Sequence, residues 1–187
     1  MNGTNLANGS ATSKRRDLDY YPTPANVTTA LIKFLHENVT TLPLNVWEPA
    51  CGDGSMSQVL EAAGYHVASS DIRYTGFGNG GINYLTVEGT GCDAIITNPP
   101  FSLSAQFIRK AVGEADIVAM LLKSQFWHAS KRTELFQQHP PAYVLALNWR
   151  PDFMEGERGG SPTMECLWTI WIDGQTDTRY RILSKPI

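Results

Sequence analysis

Residues 43–72, PLNVWEPACGDGSMSQVLEAAGYHVASSDI, change hydrophobic period twice within one short stretch. LNVW is a short β-prone run and CGDG a turn. Met56, Val59, Leu60 and Ala63 then recur at helical spacing, Gly64 stops the helix, and HVASSDI returns to a strand pattern. This is a βαβ unit, the building block of a parallel sheet. It also has the look of a ligand site. Gly52 and Gly54 carry no Cβ, so the backbone there can approach a nucleotide-like group, and Asp71 at the end of the second strand can accept hydrogen bonds from both ribose hydroxyls. The dinucleotide fingerprint requires a third glycine where Ser57 stands, which argues against a site that cradles a pyrophosphate. Taken alone, the glycine pair fits a purely structural turn equally well.

The alternation continues on both sides of this unit. In YYPTPANVTTALIKFLHENV, Thr23 reads as a hydroxyl cap and Pro24 as the first helical residue, after which Val27, Ala30, Leu31, Phe34 and Leu35 form one apolar face. CDAIITNPP reads as a strand. SLSAQFIRKAVGEA reads as a helix capped by Ser102 or Ser104, with Leu103, Phe107, Ile108 and Ala111 facing inward. DIVAMLLKSQFW is a continuous apolar strand, HASKRTELFQQHP a helix, AYVLALNWRP a strand and MECLWTIWIDG a last strand. Strands alternating with helices imply a mostly parallel sheet covered on both faces, with ligands at the carboxyl ends of the strands. That rule places NPPF, residues 98–101, on the same rim as CGDG and Asp71.

Other features narrow the class. A chain of 187 residues suits one α/β domain, here residues 17–187. Its three cysteines, Cys51, Cys92 and Cys166, form no CxxC pair and have no histidine pair at metal spacing, so neither a disulfide framework nor a zinc site is expected. No apolar run approaches a membrane span and the start has no hydrophobic signal region, which suggests a cytoplasmic protein without membrane partners. Residues 1–16 are rich in Asn, Gly, Ser and Thr and end in Lys14, Arg15 and Arg16, the pattern of a flexible arm that is either a solvated tail or a nucleic-acid contact. Without those three charges the formal net charge moves from -3 to -6. Strong nonspecific nucleic-acid binding by the body would therefore need local basic patches.

EPACGDG, an acid ending the next strand, and then NPPF together resemble the motifs of class I S-adenosylmethionine-dependent methyltransferases that modify an exocyclic amino group. YYPTP resembles the additional N-terminal motif of DNA adenine-N6 methyltransferases, and RPDFMEGERGGSPTMECLWTIW is similar to the segment after the core in short phage or prophage-type members. The resemblance spans about residues 20 to 174. It implies a Rossmann-like α/β fold: a mostly parallel seven-stranded sheet with an antiparallel last strand and helices on both faces. The strands counted above fill that sheet if GINYL adds a faint one between Asp71 and Cys92.

The same resemblance implies roles. The side-chain oxygen of Asn98 and the backbone carbonyl of Pro99 would accept the two N–H groups of an adenine amine, Pro100 would stiffen the turn, and Phe101 would stack on the extruded base. Tyr21, Thr23 and Glu48 match positions that hold the methionine end of the cofactor. Gly52 and Gly54 match the turn beneath it, Asp71 the ribose acid and Ile72 the adenine wall; Ala50 and Asn98 also fall among the cofactor positions. Asn83 and Tyr84 stand where the family often has an acid and an aromatic residue against the cofactor adenine. The cofactor implied is S-adenosylmethionine, with S-adenosylhomocysteine as product and no metal. The acceptor implied is DNA; without a long target-recognition region the chain would methylate adenines with little context preference, use the loop 154–162 for a very short site, or depend on a specificity partner, and a homo-oligomer is the other partner expected. Arg150 and Arg158, around the glycine-rich loop 154–162, are phosphate-contact candidates or members of intramolecular pairs. Lys123, Trp127 and His128 line the substrate cleft or pack at its rim. Acceptors in RNA or on protein glutamine, and a non-catalytic cofactor-binding subunit, are the alternatives.

Overall fold

A computed structural model describes residues 21–41, 43–153 and 164–186. The N-terminal arm and the loop 154–162, with Arg158, lie outside the described residues. In chain order the elements are α1 (Ala25–Asn38), β1 (Asn45–Glu48), α2 (Ser55–Ala62), β2 (His66–Ser69), β3 (Ala94–Thr97), α3 (Ser104–Ala111), β4 (Ile117–Lys123), α4 (Thr133–Gln138), β5 (Tyr143–Leu147), β6 (Cys166–Ile172) and β7 (Arg179–Leu183). Two 3₁₀ turns, Ser124–His128 and Ser130–Arg132, fill most of the span between β4 and α4, so the helix expected over HASKRTELFQQHP is confined to its second half.

The strands form one seven-stranded sheet in the order β2-β1-β3-β4-β6-β5-β7. Every neighbouring pair is parallel except those of β6, which runs antiparallel to both β4 and β5. The expected fold class holds, with two differences in detail. The reversed strand is the sixth, not the last, because RYRIL adds a parallel edge strand beyond it. GINYL is not a strand: Asn83 Oδ1 accepts the Leu85 N–H and Tyr84 turns inward, its ring 5.1 Å from Trp47 and 4.7 Å from Phe107. Where GINYL was expected to extend the sheet there is only an isolated bridge between Ser70 and Asn79.

Both sheet faces are buried, and the side-chain period of two divides the core accordingly. Val46, Ala94, Ile96, Ala119, Leu121 and Trp168 pack with α1 and α2. Trp47, Ile95, Val118, Met120, Leu122 and Trp171 pack with α3 and the Phe126–Leu135 segment. This is why the central strands read as unbroken apolar runs. The two helix starts with an expected cap depart from it. Pro24, not Thr23, is the N-cap of α1, and no side chain caps it. Leu103 caps α3, while Ser104 is the first helical residue and donates its hydroxyl back to the Phe101 carbonyl at 3.2 Å. Ala63 lies just past the end of α2, and Gly64 follows with φ 95°, a left-handed conformation suited to glycine.

Candidate functional site

The chain reverses direction across the sheet at β1: β2 pairs on one side of it and β3 on the other. In an open α/β sheet such a switch leaves a crevice at the carboxyl ends of the strands. Here the crevice is a cavity of about 450 Å³, within the range of small-ligand sites. The turn after β1, the segment after β2, the turn after β3 and the residues before α1 all contribute to its wall.

The β1–α2 turn needs its glycines. Gly52 and Gly54 have φ of 53° and 84°, and a Cβ on Gly54 would sit 2.5 Å from the Phe77 ring. Asp71, buried, ties this turn to β2: its Oδ2 accepts the Gly52 N–H at 3.0 Å and its Oδ1 the Arg73 N–H at 2.9 Å. Each oxygen keeps a further lone pair for a ligand hydroxyl. Ile72 beside it is 58% exposed although it lines the cavity, and Ile82 joins it there. The two form an apolar wall. Asn83 also lines the cavity, with its Oδ1 committed to the Leu85 N–H, as do Tyr21 and Ala50.

Glu48 ends β1 and is 2% exposed. Burial pushes its carboxyl up to about 8; hydrogen bonds from Ser57 counter this in part, and the charges of Asp53 and Asp71 add to it. Ser57 stands where a third glycine would be, and its hydroxyl donates to Glu48 Oε2 and lies 2.7 Å from the Ser69 hydroxyl. In the sequence that position stands out only as a missing glycine. A buried carboxyl followed nine residues later by a serine at the start of a helix is the pattern that could have revealed the pair.

Asn98 follows β3. Its Nδ2 donates to the Tyr21 carbonyl at 3.2 Å and to Thr23 Oγ1 at 3.1 Å. These bonds explain the capping result, since the Thr23 hydroxyl serves Asn98 instead of the helix. They also leave Asn98 Oδ1 buried with no hydrogen-bond partner. A Tyr21 carbonyl can only accept, so it holds the amide in this orientation and keeps the oxygen on the opposite side. The next residues are fixed by local bonds: the Pro100 carbonyl accepts the Leu103 N–H at 2.8 Å, and Ser104 holds Phe101 as described above. Asn98 and Pro100 line the cavity, whereas Pro99 and Phe101 do not.

Phe101 instead faces a cluster of its own. Its ring lies 5.7 Å from that of Tyr21, and Lys123 Nζ, at the end of β4, lies 4.0 Å from its centroid. Trp127 stacks on Phe136 at 4.2 Å and belongs to rim packing, and His128 is exposed. Arg150 stands apart, paired with Glu165 at 2.9 Å beside a second cavity. Among the described residues no group of three or more His, Cys, Asp or Glu side chains could hold a metal, and no helix is long and apolar enough to cross a membrane.

No protein-family model and no curated protein matches the sequence. Solved structures do match the fold. A protein of Pyrococcus horikoshii provisionally assigned as an RNA methyltransferase superposes with a TM-score of 0.67 at 16% identity, over 83% of this chain and 87% of the other. A Listeria monocytogenes protein provisionally assigned as a class I S-adenosylmethionine-dependent methyltransferase gives 0.59 at 12%, over 87% of this chain and 65% of its own. A Vibrio vulnificus protein provisionally assigned as the modification subunit of a type I restriction enzyme gives 0.55 at 13%, over 86% and 47%. The chain thus spans just under two thirds of the second and about half of the third. At these identities the likeness is one of fold: a mixed α/β, Rossmann-like sheet of the kind found in class I methyltransferases.

Proposed function

We propose that the chain transfers the methyl group of S-adenosylmethionine to the exocyclic N6 amine of adenine in DNA. The observation that carries this reading is Asn98 Oδ1, a buried acceptor without a partner, on a residue that walls a nucleotide-sized cavity. S-adenosylmethionine supplies, when bound, a methyl group on a positively charged sulfur, with S-adenosylhomocysteine as product. The rest falls to residues of the chain. The adenine amine is a poor nucleophile because its lone pair is delocalised into the ring. Asn98 Oδ1 and the Pro99 carbonyl, each taking one of its N–H groups, return density to the nitrogen as it attacks; the nitrogen–methyl bond would form as the sulfur–methyl bond breaks, and the positive charge passed to nitrogen would leave as a proton to solvent. Among the described residues no hydrogen bond goes to the Pro99 carbonyl, while those of Pro100 and Phe101 are already used. Phe101 offers the base an aromatic face worth roughly 1–3 kcal/mol, against an extrusion cost of about a few kcal/mol.

Within the cavity, Asp71 suits ribose hydroxyls, Ile72 and Ile82 an adenine face, and Glu48 the positively charged methionine end. The apolar wall, the buried acid and the glycine turn fit that cofactor in chemistry and size. RNA is the second reading, because the same acceptor pair serves an amine on an RNA base and one fold neighbour is assigned to RNA. The likeness to a modification subunit makes a specificity partner part of the proposal. The test is transfer from labelled S-adenosylmethionine to duplex DNA, single-stranded DNA and RNA, with nucleosides identified by mass spectrometry. Labelled N6-methyladenine from DNA, lost in Asn98→Ala with cofactor binding retained, supports the proposal. Transfer retained in Asn98→Ala overturns it, and label in RNA alone selects the second reading.

A further inference from the structure

The acceptor side of Asn98 carries a cation that the proposed chemistry does not use. Lys123 Nζ lies 4.0 Å from the Phe101 centroid and 5.6 Å from that of Tyr21. This is about the 3.5–4.0 Å separation of atoms in van der Waals contact, so the ammonium occupies the layer in which a planar base would stack on that face of the ring. The two cannot be there together. Phe101 does not line the cofactor cavity, so this exchange takes place on the acceptor side.

We propose that Lys123 is the phosphate contact of the acceptor nucleotide: the base takes its place on Phe101, and the ammonium moves to the phosphate beside that base. This rests on the reading of Phe101 as the acceptor platform. A lysine suits the part, being a compact charge with three donors on a flexible four-carbon stem. Its cation–π contact is weak at a half-exposed site and is replaced by a charge-assisted hydrogen bond of greater strength.

The experiment measures binding of a labelled oligonucleotide, single-stranded and duplex, by fluorescence anisotropy. S-adenosylhomocysteine is present, and salt runs from about 50 to 200 mM, the range over which phosphate contacts weaken. Wild type, Lys123→Met and Lys123→Arg are compared after their melting curves show that all three are folded. Loss of one phosphate contact makes the slope of log Kd against log salt shallower by about 0.9 for duplex or about 0.7 for a single strand. That change is expected in Lys123→Met and not in Lys123→Arg, with S-adenosylhomocysteine affinity unchanged in both. An unchanged slope in Lys123→Met, with a wild type that methylates nucleic acid, overturns the Lys123 proposal and leaves the methyltransferase reading standing. A wild type that neither binds the oligonucleotides nor transfers a methyl group to them overturns both.

Discussion

Replacing Thr23 by Val tests whether this residue serves the cofactor or serves Asn98. Valine has nearly the shape of threonine and removes one of the two hydrogen bonds that hold the Asn98 amide, the 3.1 Å bond to Oγ1. The Tyr21 carbonyl remains, so the amide still prefers its orientation, but less strongly. One such bond is worth about 0.5–1.5 kcal/mol net. If the loss appears wholly as a less well positioned acceptor oxygen, kcat falls by about 2- to 12-fold at roughly 1.4 kcal/mol per factor of ten. KM for S-adenosylmethionine should stay within experimental error. Asn98→Ala removes the proposed acceptor and should cost about 10²–10³ in kcat, the scale for one preorganised polar group aimed at a transition state. The double variant completes a cycle: once Asn98 is gone, Thr23→Val should have no further effect on single-turnover rates. An equal loss in both backgrounds, or a raised cofactor KM at constant kcat, would refute the argument and return Thr23 to the cofactor role that its place in YPTP suggests.

Three further outcomes follow from the same geometry. The Glu48 carboxyl is raised from 4.5 to about 8 in the folded protein, so between those values the native state keeps a proton that the unfolded chain has released. Its stability contribution is therefore full below about pH 4.5 and is lost as pH rises through 8; thermal melts should show Glu48→Gln gaining on wild type across that window, and a pH-independent difference would contradict the assignment. Gly54→Ala should destabilise the protein in chemical denaturation by at least the roughly 1–2 kcal/mol of a left-handed alanine, and by more because the Phe77 ring must move; an unchanged midpoint would mean that the turn re-forms differently. Phe101→Leu should weaken acceptor use by about 5- to 150-fold in kcat/KM, the range for one lost stacking contact, with cofactor binding by calorimetry unchanged because Phe101 lies off the cavity.

What could be read from the sequence was whatever depends on near neighbours or on burial of a whole face. The central strands announced themselves because both sides are covered, and Gly64 marked a helix end because its φ is left-handed. Several departures have a common cause in partners distant in the chain. Thr23 looked like a cap by every local rule, yet its hydroxyl is claimed by Asn98, 75 residues away. Tyr84 gave GINYL a β-like apolar position, but its ring is drawn into an aromatic cluster and its hydroxyl to Glu114. RYRIL went unread because only Leu183 of the five is buried, and what makes it a strand is the free edge of β5. Lys123 was legible as a strand-ending lysine, while its seat over Phe101 depends on β3 and β4 lying side by side.

Two groups of the cavity wall have needs that a ligand would meet. Asn98 Oδ1 is an acceptor with no donor, and the Glu48 carboxyl is held in its neutral form by burial near neutral pH. A buried acceptor left unpaired costs about 1–3 kcal/mol, which a donor on a bound ligand would recover. The two groups have complementary needs. The oxygen calls for an N–H donor, while the acid gains from a nearby positive charge, which draws its proton off and restores the carboxylate. A donor amine and a cation are the features of the acceptor base and of the cofactor's methionine end, respectively. Cofactor binding should therefore release a proton on average when the pH lies somewhat below 8, and affinity should rise with pH in that range. Calorimetry in buffers of different ionisation enthalpy measures the net proton count, in which the ligand's α-amino group also takes part, and Glu48→Gln should lower that count by the share Glu48 releases. A count that Glu48→Gln leaves unchanged would separate Glu48 from the ligand's charge, and the methionine end would then have to be held elsewhere in the cavity.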